Sequence, residues 1–394
     1  MALSDLLGDL EADEFFDKYW DQKPVIIRKA SKMCAALCSI EDVEERLTET
    51  DIRFPQFQLA MQGRKLSKAD YTRRKSWGNH HFDDLIDLPA MYRLWNAGAT
   101  IILQSLQTNF PKLIPYMREL ETDFHHPVQA NLYLSPSNSQ AFTAHYDTHD
   151  VFAVQVAGVK TWRVWQIPSE QMPLKDEHSP REIEPDGPLL LNEMLEPGDV
   201  LYLPRGYYHD ARSEAVASMH LTIGVLSYRR IDAVRFIFDD ILQSLRTSDD
   251  KAWRKALPPN FNMVPDKAFL SLKDRVLRML DERWSMESSV NRFKEETHPN
   301  NQGLLKSHNK LAEIHDTTRL KVISAIDPVV YRSGEYLVLA FGGRLLSLPG
   351  VVESSLRSML DMRDFSPSDL IKLNVESRIG LCAHLIREGF VAFK

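Results

Sequence analysis

Between about residues 128 and 228 the chain alternates apolar and polar positions with a period of two. Short runs rich in Val, Tyr, Trp and Leu occupy 129–134, 151–156, 161–166, 200–203 and 219–226, separated by Pro, Gly and Ser clusters. Successive side chains on a strand point to opposite faces, so this spacing predicts several half-buried strands in a closed or sandwiched antiparallel unit. Gly158, between two of the runs, is placed as the turn of a hairpin. Glu196-Pro197-Gly198-Asp199 reads as a second turn leading straight into a strand.

Elsewhere the period lengthens. Residues 14–20 space their aromatics as a helix does, and Pro24 then introduces the β-rich run Val25-Ile26-Ile27. Residues from about 40 to 120 read as largely helical, with a polar, basic stretch at 64–75. Within them, 101–120 has apolar residues at helical spacing, interrupted by Pro111 and Pro115. Past about 230 the β pattern stops. Segments 231–247 and 268–284 are amphipathic helices in prospect, and 290–312, polar and Asn-rich, reads as a linker. The remainder holds strand-like text at 335–341 and 344–348, helices at about 350–360 and 367–386, and an apolar run at 390–393. That mixture predicts a small winged-helix-like module. The domain expectation is therefore one unit at 1–228 with its β core at about 128–228, a helical region and linker at 229–312 and a C-terminal module at 313–394.

Composition narrows the class without changing the picture. Hydrophobic residues make up 43% and charged residues 26% of the 394, as in folded globular proteins. The N-terminus is acidic where a secretory signal has a basic n-region, and no apolar run is long enough for a membrane span. Three cysteines, Cys34, Cys38 and Cys382, make no disulfide framework, so a reducing, cytoplasmic setting is expected. A net charge of −7 argues against a dedicated nucleic-acid binder. A local patch of Arg319, Lys321, Arg332 and Arg344 keeps that reading open for the C-terminal module.

Chemistry concentrates at Ala144-His145-Tyr146-Asp147. Two residues apart on a strand, His145 and Asp147 point to the same side, so an imidazole and a carboxylate converge. A histidine from a second strand would complete a 2-His-1-carboxylate face, which leaves coordination positions of an iron open. His209 is the best candidate, following a strand and the Pro204-Arg205-Gly206 turn; His149 and His220 compete for the same role.

An HxD pair alone is a weak signal. Here it is followed in order by Gly158-Val159-Lys160-Thr161-Trp162 and by Glu196-Pro197-Gly198-Asp199-Val200-Leu201-Tyr202-Leu203-Pro204-Arg205-Gly206-Tyr207-Tyr208-His209. In this combination the chain resembles the cupin-type JmjC oxygenases of the ribosomal-oxygenase group, over roughly residues 10–230 and more weakly beyond. The resemblance implies an α+β protein with a double-stranded β-helix core, a helical dimerisation region and a C-terminal winged helix. It implies Fe(II), 2-oxoglutarate and O2 as the reaction's requirements, with His145, Asp147 and His209 on the metal. Lys160 matches the basic residue that pairs with the distal carboxylate of 2-oxoglutarate. Asn131, Tyr133 and Thr222 stand where the family places polar residues near the cosubstrate.

The implied activity is hydroxylation of a side chain in a protein or peptide, with basic and ribosomal proteins as the first candidates, by a homodimer. N-methyl demethylation and tailoring of a small precursor peptide use the same iron chemistry and remain open. Thr148-His149-Asp150, expected to border the substrate mouth, departs from several relatives, so the substrate is not carried over from them. Two rivals are a non-catalytic cupin/winged-helix binding protein and an iron cupin that takes no 2-oxo acid. Lys160 separates the second rival from the oxygenase.

Overall fold

A computed structural model describes residues 2–394 apart from 167–171, 175–184, 186, 258, 260–266, 297–302, 324–327 and 334. The chain divides into two compact units, Met1–Ser227 and Tyr228–Lys394.

The first unit carries thirteen strands among its described residues: β1 (Val25–Ile27), β2 (Phe57–Met61), β3 (Arg64–Lys65), β4 (Thr72–Trp77), β5 (His80–Ile86), β6 (Thr100–Leu103), β7 (Val128–Ser135), β8 (Asp150–Ala157), β9 (Lys160–Trp165), β10 (Leu189–Leu195), β11 (Val200–Leu203), β12 (Tyr208–Ser213) and β13 (Ser218–Val225). Eight form one antiparallel sheet in the order β1-β11-β8-β13-β7-β6-β2-β3, and β10-β9-β12 form a second. β4 and β5 pair as a separate two-stranded ribbon.

Strand parity explains which residues face the site. On β7, Ala130, Leu132 and Leu134 join a core with Phe152 and Val154 of β8 and Leu221 and Ile223 of β13. Helices Ala12–Lys18, Ile40–Glu49, Leu88–Asn96 and Ile114–Phe124 close this face with Phe15, Leu47, Met91 and Leu120. Each such side chain, fully buried, contributes about 1.5–3 kcal/mol. The opposite parity of β8, Val151 and Ala153, packs instead with Trp162 and Val164 of β9 and Leu201 and Leu203 of β11. Both faces of β8 are therefore apolar, which is why its sequence reads as one unbroken hydrophobic run.

Two expectations are corrected here. The stretch 40–120 is not largely helical: β2 to β6 fall within it. Thr100 to Leu103 are all buried between β2 and β7, and a short apolar run covered on both faces carries no periodicity to separate strand from helix. Nor does Gly158 turn a hairpin. β8 pairs with β11 and β13, whereas β9 pairs with β10 and β12, so the chain crosses at Gly158 from one sheet to the other. The crossing is tight. Gly158 has φ +62°, and a Cβ there would stand 2.1 Å from the Ala217 carbonyl oxygen.

The second unit opens with helix Arg230–Thr247, followed by helices Lys267–Ser271, Lys273–Arg283 and Glu287–Glu296. The 290–312 linker expectation is corrected in part. The last of those helices and another, Leu304–Asn309, run through the segment, while 297–302 lies outside the described residues. Beyond it come β14 (Leu320–Val322), β15 (Val329–Ser333), β16 (Tyr336–Phe341), β17 (Arg344–Pro349), β18 (Asp364–Phe365) and β19 (Val391–Phe393), in sheets β18-β14-β19 and β15-β16-β17. Helices Glu353–Met362 and Val375–Arg387 pack Leu356, Met359, Leu385 and Ile386 onto these strands in a core of their own. Cys38 and Cys382 are buried free thiols; the Cys34 side chain lies outside the described residues. Among the described residues, no helix is long and apolar enough to cross a membrane.

Candidate metal and cosubstrate site

His145 and His209 lie on facing segments that hold each other by a reciprocal backbone pair. His145 N–H donates to the His209 carbonyl at 3.1 Å, and His209 N–H donates to the His145 carbonyl at 2.8 Å. A third backbone bond, from Gly206 N–H to the Asp147 carbonyl at 2.9 Å, ties the turn before β12 to the HxD segment. Ligand atoms of His145, Asp147 and His209 all lie within 4.8 Å of one another, with His209 Nε2 3.6 Å from Asp147 Oδ2. Among the described residues they are the one set of three or more His, Cys, Asp and Glu side chains so gathered.

The tautomers are set from outside the cluster. His145 Nδ1 lies 2.9 Å from the Thr143 carbonyl, and His209 Nδ1 3.0 Å from the Tyr207 carbonyl. A carbonyl only accepts, so each Nδ1 carries the proton and each Nε2 lone pair faces the cluster. Burial, aided by His145, lowers the His209 pKa to about 4, which keeps the ring neutral and able to donate a lone pair at neutral pH. Burial acts to raise Asp147, but His149, His209 and His145 bring it below the ordinary carboxylate range, so it is charged. Two neutral imidazoles and one carboxylate fit a divalent iron in donor type and in number.

The three ligands share a pocket of about 660 Å³, partly open to solvent, with Lys160, Asn131, Tyr133 and Thr222. Lys160 is 2% exposed at the start of β9. Its Nζ donates to Ser135 Oγ at 3.0 Å and lies 3.1 Å from His220 Nδ1. Among the described residues it has no carboxylate partner. Burial lowers its pKa to about 7. A buried ammonium with three N–H donors, two of them occupied, has one left for an anion entering the pocket. That is what a cosubstrate carboxylate would supply.

The remaining sequence candidates line the same pocket in weaker positions. Tyr133 stacks on the His220 ring, centroids 5.0 Å apart, and burial followed by Asp147 pushes its phenol pKa up. Asn131 Oδ1 accepts from Ser105 N–H at 3.2 Å, and Thr222 Oγ1 donates to the Asn131 carbonyl at 3.4 Å. The competitors for the metal are placed elsewhere. His220 stands at the Lys160 end. His149 lies over Gly224, its Nε2 3.3 Å from Gln129 Nε2. Two residues of the site carry no motif: Ser135 and His220 as the holders of Lys160. Ser135 shares parity with Asn131 and Tyr133 on β7, and His220 with Thr222 on β13, and that shared parity is the signal that points to them.

Comparison with known proteins agrees with this geometry. Residues 107–232 match the JmjC domain family. The chain is 31% identical over 266 residues to ribosomal oxygenase 1 of Rattus norvegicus, covering 65% of this chain and 42% of that protein. It is 32% identical over 230 residues to the bifunctional lysine-specific demethylase and histidyl-hydroxylase NO66 of Drosophila grimshawi, covering 57% and 30% respectively. The chain thus spans less than half the length of these curated relatives. The Escherichia coli ribosomal oxygenase YcfD, solved with cobalt and 2-oxoglutarate, shares the fold over 98% of this chain and 99% of its own, with a TM-score of 0.56 at 15% identity.

Proposed function

From a chain that carries a JmjC domain of the ribosomal-oxygenase group, we propose an Fe(II)- and 2-oxoglutarate-dependent oxygenase that hydroxylates a side chain of a protein, a ribosomal one by preference. One observation carries the reading: a buried lysine with no carboxylate partner among the described residues shares a pocket with a His-Asp-His cluster. A cupin that merely bound iron would have no use for that ammonium.

In this reading His145 and His209 present their Nε2 atoms, and Asp147 its carboxylate, as one face. The bound iron, with 2-oxoglutarate and O2, supplies the oxidising power for an unactivated C–H bond. The protein's part is placement. Lys160 fixes the far carboxylate of the cosubstrate, and Ser135 and His220 fix Lys160. Tyr133 and Trp162 wall the His220 ring on two sides and limit water at that end. Asn131 and Thr222 line the space between the two ends.

The wider architecture is read in the same way. Ile231, Phe238 and Leu242 are exposed along helix Arg230–Thr247, and Leu277 on helix Lys273–Arg283; an apolar stripe of this kind supports a homodimer formed through the 229–312 region. Strands and helices in 313–394 support the winged-helix-like module, and 1–228 the catalytic domain. A reducing, cytoplasmic location suits the iron chemistry and the free thiols. Sedimentation that returned monomer alone would remove the dimer.

The decisive test is anaerobic addition of Fe(II) and then 2-oxoglutarate, read by the weak visible charge-transfer band of the chelate. The band is expected in the unaltered protein and absent in both Asp147→Ala and Lys160→Ala. Iron retention with no band in the unaltered protein would overturn the reading.

A further inference from the structure

The basic stretch at 64–75 has no place in the chemistry above, and its placement is specific. Arg64 and Lys65 form β3, Lys68 lies in the turn Lys68–Asp70, and Arg73, Arg74 and Lys75 lie on β4 of the two-stranded ribbon; all six are exposed. Across 51–84 there are seven Lys and Arg residues and four carboxylates. Three of the carboxylates are committed: Asp51 to Lys75 at 2.7 Å, Asp83 to Arg74 at 3.4 Å and Asp84 to Arg53 at 2.7 Å. Among the described residues, Arg64, Lys68 and Arg73 form no ion pair; Lys68 lies over the Phe54 ring at 5.3 Å. The C-terminal candidates differ, since Arg332 is held by Glu353 at 2.6 Å and Arg344 by Glu388 at 4.0 Å.

This cationic surface is rooted beside the pocket mouth. Gln62 N–H donates to the Gln140 carbonyl at 3.2 Å, and Gly63 N–H to the Ala141 carbonyl at 3.1 Å. A Cβ on Gly63 would meet Thr143 Cγ2 at 2.7 Å. Thr143 lies two residues before His145, and the Phe142 ring, 5.7 Å from the His145 ring, lines the pocket.

A chain of net charge −7 that gathers unpaired cations at its mouth is set up for a polyanion. A basic substrate protein would be repelled by Arg64 and Arg73. An RNA strand held there would neutralise the surface and bring with it the basic protein bound to it. Guanidinium groups pair with phosphates in a fork, and the ammonium of Lys68 adds a point charge to the same backbone. We propose that the β3 and β4–β5 surface is an RNA-docking site beside the pocket mouth, gripping phosphates through Arg64, Lys68 and Arg73. The choice of RNA rests on the ribosomal-protein reading of the substrate.

The test is fluorescence anisotropy of a labelled 20-nucleotide single-stranded RNA titrated with the full chain at several salt concentrations. The unaltered protein should bind with a log–log salt slope near about −2, as three phosphate contacts at about 0.7 each require. The triple variant Arg64→Gln/Lys68→Gln/Arg73→Gln should lose most of that slope and bind at least about tenfold more weakly at low salt. Lys310→Gln/Lys321→Gln, in the other unit, should bind as the unaltered protein does. The Fe(II)–2-oxoglutarate band, unchanged in the triple variant, shows that its pocket is intact. No RNA binding, or equal binding by the triple variant, overturns the proposal. So does binding of poly-glutamate as tight as that of RNA. The anisotropy needs no iron, so an absent band would sink the oxygenase reading and leave RNA docking standing or falling on its own result.

Discussion

The two ends of the pocket are built on opposite principles. At the metal end the ligand atoms are held from behind, by backbone bonds and by the Thr143 and Tyr207 carbonyls, while the Nε2 and carboxylate faces are left open. At the Lys160 end the functional group is itself held, between Ser135 and His220, and almost sealed from water. One end is arranged for exchange of small ligands and the other for fixing a single charge. A static anchor next to an exchangeable centre is what a reaction needs when it must bind one acid in one orientation on every turnover.

Substitutions at each end should therefore fail differently. Asp147→Ala has the largest expected effect: it removes the only carboxylate of the metal face and should abolish iron retention, read by metal analysis after desalting. Lys160→Ala should keep the iron but weaken 2-oxoglutarate by about 30- to several-thousandfold, from the roughly 2–5 kcal/mol at stake when one partner of a buried charge pair is lost. A variant that lost both ligands together would erase the contrast between the ends.

Acidity gives a third and finer probe. The Lys160 pKa of the empty pocket is lowered to about 7 by burial, and a bound carboxylate favours the charged form. Below about pH 7 the ammonium is present and affinity for 2-oxoglutarate should be flat. Above it the amine must first take up a proton, so affinity should fall about tenfold per pH unit, or about 50-fold between pH 7 and pH 9. Lys160→Arg should flatten this profile, whatever its affinity. The smallest effect belongs to Ser135→Ala. It removes one neutral hydrogen bond from Lys160, worth about 1 kcal/mol, and should weaken 2-oxoglutarate about fivefold while leaving iron binding unchanged.

The same division governs what is legible in the sequence. The metal end is announced by spacing, because His145 and Asp147 must share one strand face and His209 must follow a sharp turn. The anchor end is assembled from β7, β9 and β13, far apart in sequence and on two sheets, so only Lys160 stands in a recognisable motif. Ser135 and His220 look like any polar residues of a strand until the pairing of β7 with β13 sets their parity beside one another. For the fold, β7 and β9 were readable because alternate positions are half-exposed, and β8 and β11, apolar on both faces, because Gly and Pro turns bound them. β6, equally buried on both faces, was not, because its apolar run continues into helix-like text; nor was the crossing at Gly158, since a glycine turn looks alike whether its strands pair or part.

The carbonyls behind His145 and His209 have a consequence for how the protein meets the cell. Because they fix the rings but not the ion, the donor set offers two imidazoles and a carboxylate to any first-row divalent metal, and the ordinary order of affinities places Zn(II) and Ni(II) above Fe(II). The fold can ensure that a metal is held in one pose; it has no means of checking which one. On the oxygenase reading proposed above, a preparation's specific activity will then report the metal supply of its host as much as the quality of the protein, and loading with iron in the absence of competitors becomes part of preparing it.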